Sequence, residues 1–184
     1  AVVIPDEAPG AADGAVLTWF ADELAQLDAA LEALDPDHPV WNWAPQPKTM
    51  GFWHRRMAHE TALHRWDIQQ ATRLPEPIEA KLAADTVAEA LDTFLPAGRR
   101  KTTADVEGMI QLVATDVGQD WFVRLRGQGV AVLDTGTLFD DTHPTRTYAS
   151  GTASDLALAI WGRVAFDVLD VEGDPTLLDA LQVT

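Results

Sequence analysis

Prolines decide where this chain can be helical. Pro36 and Pro39, Pro45 and Pro47, Pro75 and Pro77, and then Pro96 fall between stretches of periodic apolar residues, and each biases the residue before it away from helix. Ahead of the first of these, Asp13 can cap a helix whose Val16, Phe20, Leu24, Leu27, Leu31 and Leu34 recur at three- and four-residue steps. That spacing lines one face, which is expected to be core. Val40 to Pro47 reads as an extended connection that has Trp41 and Trp43 to bury. From about Lys48 to Arg73 nothing interrupts after Gly51, so a helix of about 35 Å is expected. Ile78 to Leu95 reads as another, with Leu82, Val87, Leu91 and Phe94 spaced for burial. Pro96-Ala97-Gly98-Arg99-Arg100-Lys101 ends the helical half and reads as a solvated basic linker.

Beyond that break the pattern becomes strand-like. Met109 to Thr115 and Trp121 to Arg126 carry β-branched and aromatic residues in short runs, and Gly127-Gln128-Gly129 turns the chain into Val130 to Leu133. A three-strand meander is expected, with a fourth strand near Arg146 to Ala149. Thr152-Ala153-Ser154-Asp155 resembles a capping box and opens a helix from Leu156 to Arg163. Val168 to Val171 reads as a short strand, and Asp174-Pro175 starts a terminal helix through Leu177, Leu178 and Leu181. The fold class is therefore α+β: a helical domain over 1–97, then a small α+β domain over 101–184.

Charge and composition narrow the partners. A formal charge of −16, from 29 acids against 13 bases, repels phosphate backbones and anionic lipid, so neither nucleic acid nor membrane is an expected partner. No apolar run reaches the ~18 residues of a membrane span, and no signal-peptide pattern opens the chain. The cytoplasm is the expected compartment. With 47% apolar residues over 184 positions, a chain of this size can bury roughly 70% of its unfolded surface. There is no cysteine, so thiol chemistry would need a thiol from another molecule, and a metal would need His, Asp, Glu or water. The chain opens on Ala1 rather than Met, as a processed protein or a fragment does.

The chemistry concentrates in Arg55-Arg56-Met57-Ala58-His59-Glu60-Thr61-Ala62-Leu63-His64-Arg65-Trp66-Asp67. On a helix, Glu60 and His64 at i and i+4 share a face and offer an oxygen and a nitrogen to a divalent ion such as zinc. Asp67 lies on nearly the same face, where it can accept the other ring N–H of His64 or bind Arg65. An H-E-x-x-H protease site is disfavoured, because His59 and His64 are five residues apart and point roughly 140° away from each other. His54 lies about 15 Å from His64 along the axis. One helix thus supplies two ligands at most, and Glu23, Asp28 and Glu32 of the first helix read as a polar face. His38 and His143, each beside a proline, read as turn or surface residues.

Phe52 to Asp67, with Ala71 after it, resembles the second ligand helix of the actinobacterial mycothiol-dependent maleylpyruvate isomerases. Gly151-Thr152-Ala153-Ser154-Asp155-Leu156-Ala157-Leu158, Trp161-Gly162-Arg163 and Val171-Glu172-Gly173-Asp174 are similar to that family's C-terminal domain. The resemblance implies a DinB-like metal-binding bundle followed by a small α+β domain akin to sterol carrier proteins. It implies a divalent metal, typically zinc, held by a histidine of the first helices and by the positions that Glu60 and His64 match. Arg163 matches the C-terminal arginine that completes the active site. The family's N-terminal helices, with their histidine, find no counterpart here, so the bundle is expected to be partial.

The function these readings imply is that of a metal-binding protein using mycothiol as thiol cosubstrate, an isomerase or S-transferase acting on a small organic acid. Arg163 is its candidate catalytic residue, placed to orient a substrate carboxylate. The alternative is a non-catalytic metal- or small-ligand-binding module. An apolar helix face left uncovered by a partial bundle favours a homodimer.

Overall fold

The computed structural model describes residues 15–99, 101, 106–127, 129–133 and 145–183. Asp13, Arg100 and His143 lie outside them. The chain divides into two compact units, one reaching to Asn42 and including Pro47–Arg55, the other comprising Trp43–Gln46 and everything from Arg56 onward.

In the first unit, α1 (Ala15–Ala33) forms where the apolar periodicity places it. Its apolar face is nevertheless not core. None of its residues is buried, and Leu17 and Phe20 remain 75% and 58% exposed. A three-and-four spacing specifies a helix with an apolar side; it does not specify what covers that side. The connection after α1 is fixed by backbone hydrogen bonds, including Val40 N–H to Lys48 O at 2.9 Å and Gly51 N–H to Pro36 O at 2.8 Å. His38 sits in its turn, where its N–H reaches Asp35 O at 2.9 Å. Trp41 stays exposed, against the expectation of burial, although its carbonyl accepts the Trp53 indole N–H at 2.9 Å.

The long helix is α2 (Met50–Ala71), which passes from the first unit into the second at Arg55–Arg56. It ends where Arg73 takes a positive φ of 60°, Leu74 N–H returns to Gln69 O at 3.0 Å, and Pro75 forbids continuation.

In the second unit, Glu79 caps α3 (Ala80–Glu89) by accepting the Leu82 N–H at 2.9 Å. That bond and the Lys81 amide hold its carboxyl below the usual range. The helix then widens into a π turn over Ala90–Phe94, with Leu95 N–H bonding Ala90 O at 3.0 Å. Five strands follow among the described residues: β1 (Val106–Ala114), β2 (Gln119–Gly127), β3 (Gly129–Leu133), β4 (Arg146–Gly151) and β5 (Asp170–Gly173). Their order is β3-β2-β1-β4-β5, antiparallel throughout except for the parallel β1–β4 pair. The meander β1–β2–β3 is the expected one.

The period-two alternation on β2 buries Trp121, Val123 and Leu125 and exposes Arg124 and Arg126. Ile110, Leu112 and Ala149 join them in one core with Leu63 and Trp66 of α2, Val87 and Leu91 of the α3 segment, and Leu156 and Ile160. The last two belong to α4 (Ala153–Ile160), whose cap is the expected one: Thr152 Oγ1 accepts the Asp155 N–H at 3.1 Å. The terminal helix begins as expected at Asp174-Pro175, but over Pro175–Leu181 it is 3₁₀ rather than α. The fold is α+β. Among the described residues no helix is long and apolar enough to cross a membrane.

Candidate functional site

The helical register of α2 brings Glu60 and His64 together. Glu60 Oε2 stands 3.2 Å from His64 Nε2, and both side chains are open to solvent, His64 at 62%. This is the separation of an ordinary imidazole–carboxylate ion pair, and it is also close to the ~3.4 Å between two ligands that each lie ~2.1 Å from a tetrahedral zinc. The other ring nitrogen, Nδ1, lies 3.0 Å from Asp67 Oδ2, the carboxylate–histidine arrangement that fixes ring orientation at metal sites. Of the two partners open to Asp67, the structure uses His64 and not Arg65, which pairs with Glu76 instead.

Asp67 has a second partner, and it is Arg163. The guanidinium approaches with Nε 3.3 Å from Oδ1 and Nη2 3.2 Å from Oδ2, while Nη1 donates to the Trp161 carbonyl at 2.8 Å. Local chemistry explains how Arg163 gets there. At the end of α4, Gly162 adopts φ 69°, its N–H bonds Ala159 O at 3.0 Å, and Arg163 N–H bonds Leu158 O at 2.8 Å. This is a Schellman stop, in which glycine takes the left-handed position without Cβ strain. The Trp161-Gly162-Arg163 motif is thus a helix terminator that delivers the arginine. Burial would raise the Asp67 carboxyl, but hydrogen bonds from Arg163 and His64 outweigh it and hold the group below its ordinary value. Glu60, His64, Asp67 and Arg163, chosen from sequence, therefore form one connected row.

The row continues inward through residues the sequence did not single out. Arg56 Nη2 and Nε lie 2.9 and 3.1 Å from Glu60 Oε1, and Arg56 Nη1 pairs with Glu89. Glu89 in turn accepts from His59 Nδ1 at 2.7 Å. His59 Nε2 is 3.0 Å from Asp85 Oδ2, near enough for charge attraction. Burial alone would lower the His59 pKa; the hydrogen bonds and charges of Asp85 and Glu89 outweigh it, and the imidazole sits above its ordinary value. As the helix geometry requires, His59 faces the core and is no partner of His64. His54, in the first unit, bonds Leu31 O at 2.8 Å.

Arg56 was legible in part, because it precedes Glu60 by four residues. Asp85 and Glu89 were not, since they reach α2 only through tertiary packing. Among the described residues no group of three or more His, Asp or Glu side chains is placed to hold a metal ion. Glu60 and His64 stand as a pair with a supporting carboxylate.

Comparison with known proteins bears on the same residues. The model of the mycothiol maleylpyruvate isomerase N-terminal domain matches residues 3–69, which include Glu60, His64 and Asp67. The model of the MDMPI C-terminal domain matches residues 81–180, which include Arg163 and more than half of the chain. No curated protein matches it. By these two matches, in the order in which its motifs occur, the chain belongs to the mycothiol maleylpyruvate isomerase-like family.

Proposed function

We propose that this protein is a metal-assisted, thiol-dependent enzyme in which Glu60 and His64 hold a divalent ion, zinc by the chemistry of the donors. Mycothiol is the cosubstrate and a small organic acid the substrate, isomerised or joined to the thiol. The observation that carries the reading is the spacing of Glu60 Oε2 and His64 Nε2, 3.2 Å, on an open face with Asp67 behind the imidazole. When bound there, the ion would lower the pKa of a coordinating thiol and keep it as thiolate near neutral pH. With no cysteine in the chain, that thiol comes with the cosubstrate.

The chain's own residues have definite tasks in this reading. Asp67 orients His64 and accepts its Nδ1 proton. Arg163 has more N–H donors than Asp67 and Trp161 occupy, and its partly exposed side chain can offer the remainder to a substrate carboxylate.

Metal content of the purified protein, set against Glu60→Ala and His64→Ala, tests the binding step. Stoichiometric metal lost in both variants is expected. Metal content unchanged by either substitution would remove the basis of the reading. Mycothiol-dependent isomerisation of maleylpyruvate tests the chemistry, and metal binding without any thiol-dependent turnover would favour a non-catalytic metal-binding module.

A further inference from the structure

We infer that Arg56 is the positioning residue that aims Glu60 at His64, so that the metal affinity of the pair depends on a buried arginine that touches neither the ion nor the substrate. The inference rests on the metal-binding reading just given. Glu60 is a half-exposed side chain on a helix surface, and its backbone conformation alone would leave several rotamers open to it. Its two oxygens are nevertheless assigned to different tasks. Oε1 accepts the Arg56 Nε–H at 3.1 Å, with Nη2 2.9 Å away as an ion pair and not a second hydrogen bond, which leaves Oε2 turned to His64 Nε2.

Arg56 can impose this because it is itself immobilised. Its side chain is 3% exposed and its third nitrogen pairs with the equally buried Glu89. The guanidinium carbon lies 5.0 Å from the Phe94 ring centre and 4.8 Å from that of Trp161, the range of cation–π attraction. Those rings pack edge to face, 4.6 Å apart. The fork of N–H donors is therefore held in one orientation, as a point charge on a flexible stem would not be.

The π turn belongs to the same device. In a regular α-helix Glu89 and Phe94, five residues apart, would diverge by roughly 140°. The wider i→i+5 turn over Ala90–Phe94 brings them round toward one side, and both meet Arg56. A core ion pair alone would not need this, since a buried pair is commonly replaceable by apolar residues without loss of stability. The extra reach toward an exposed glutamate is what a ligand-positioning role adds.

Spectroscopic titration of the full chain with Co²⁺ tests the inference, read alongside circular dichroism and thermal melting. Two variants keep the fold in hand. Arg56→Lys preserves the charge opposite Glu89 and removes the fork, while Arg56→Met with Glu89→Gln removes both buried charges together. Both are expected to melt as folded proteins and to bind Co²⁺ about 10–100-fold more weakly with altered d–d bands, and a smaller loss in a folded variant overturns the inference. If Glu60→Gln and His64→Ala abolish binding while the Arg56 variants do not, the inference fails and the metal reading stands. If wild type binds no Co²⁺, the metal reading fails, and a crystal structure of Arg56→Lys decides the positioning. A Glu60 carboxylate that leaves His64 there upholds it; one that stays overturns it.

Discussion

His59 and His64 lie on one helix, yet their surroundings give them opposite chemistry. His59 is buried between Asp85 and Glu89, and its pKa is raised above the ordinary value near ~6.5. A raised folded-state pKa stabilises the fold while the unfolded chain is still protonated. The contribution is complete below ~6.5 and is lost as pH climbs through the folded value. His59→Gln, which cannot titrate, should therefore lose more stability relative to wild type at pH 6 than at pH 9, in urea denaturation with chelator present. Equal losses at both pH values would mean that His59 is not charged in the fold. Asp67 makes a complementary case at the exposed end of the row. Its ion pairs are open to solvent, so Asp67→Ala should cost less than about 1 kcal/mol of stability. Under the metal-binding proposal the same substitution should weaken binding about 10–100-fold, because His64 loses the partner of its Nδ1. Denaturation and Co²⁺ titration on one preparation compare the two effects directly.

At the scale of elements, the junctions are where sequence and structure agree best. Thr152, Asp174 and the Pro75-Glu76-Pro77 stop act as capping and breaking chemistry says they should, because those rules involve neighbours along the chain. Gly173 shows a junction with a tertiary demand. It pairs with Thr147 across β4–β5 at φ 95°, and a Cβ there would run into the Arg146 carbonyl. Gly173→Ala is expected to cost about 1–3 kcal/mol, measured by denaturant unfolding, and a neutral result would show that β5 can move away from β4. What sequence left dark has a common cause. The parallel placement of β4 beside β1, the π turn, the 3₁₀ form of the last segment and the approach of Glu89 to Arg56 all depend on packing partners remote in the chain. The candidate site was readable up to its i,i+3 and i,i+4 relations, Glu60–His64 and His64–Asp67. Its link to Arg163 came only through resemblance, and the inner half of the row had no local signal beyond Arg56.

For the molecule as a whole, the decisive contrast is between apolar residues that find a core and those that do not. Leu63 is 1% exposed and belongs to the cluster that joins α2 to α3, α4 and the sheet. Leu27, on the apolar stripe of α1, is exposed. Both are leucines on helices, and the pattern favours Leu27, which has Leu24 and Leu31 at helical spacing where Leu63 has only Trp66; burial reverses the order. Truncating Leu63 to alanine removes contacts on every side and leaves a cavity, with an expected cost of about 2–5 kcal/mol. Truncating Leu27 to alanine removes little that is buried and should change stability by less than about 0.5 kcal/mol. Urea unfolding of the two variants at several protein concentrations distinguishes the outcomes. A Leu27→Ala loss that approaches the Leu63→Ala loss would show that the α1 stripe is covered in solution. If that loss also grows as the protein is diluted, the cover is a second copy of the chain, since only an associating fold ties stability to concentration.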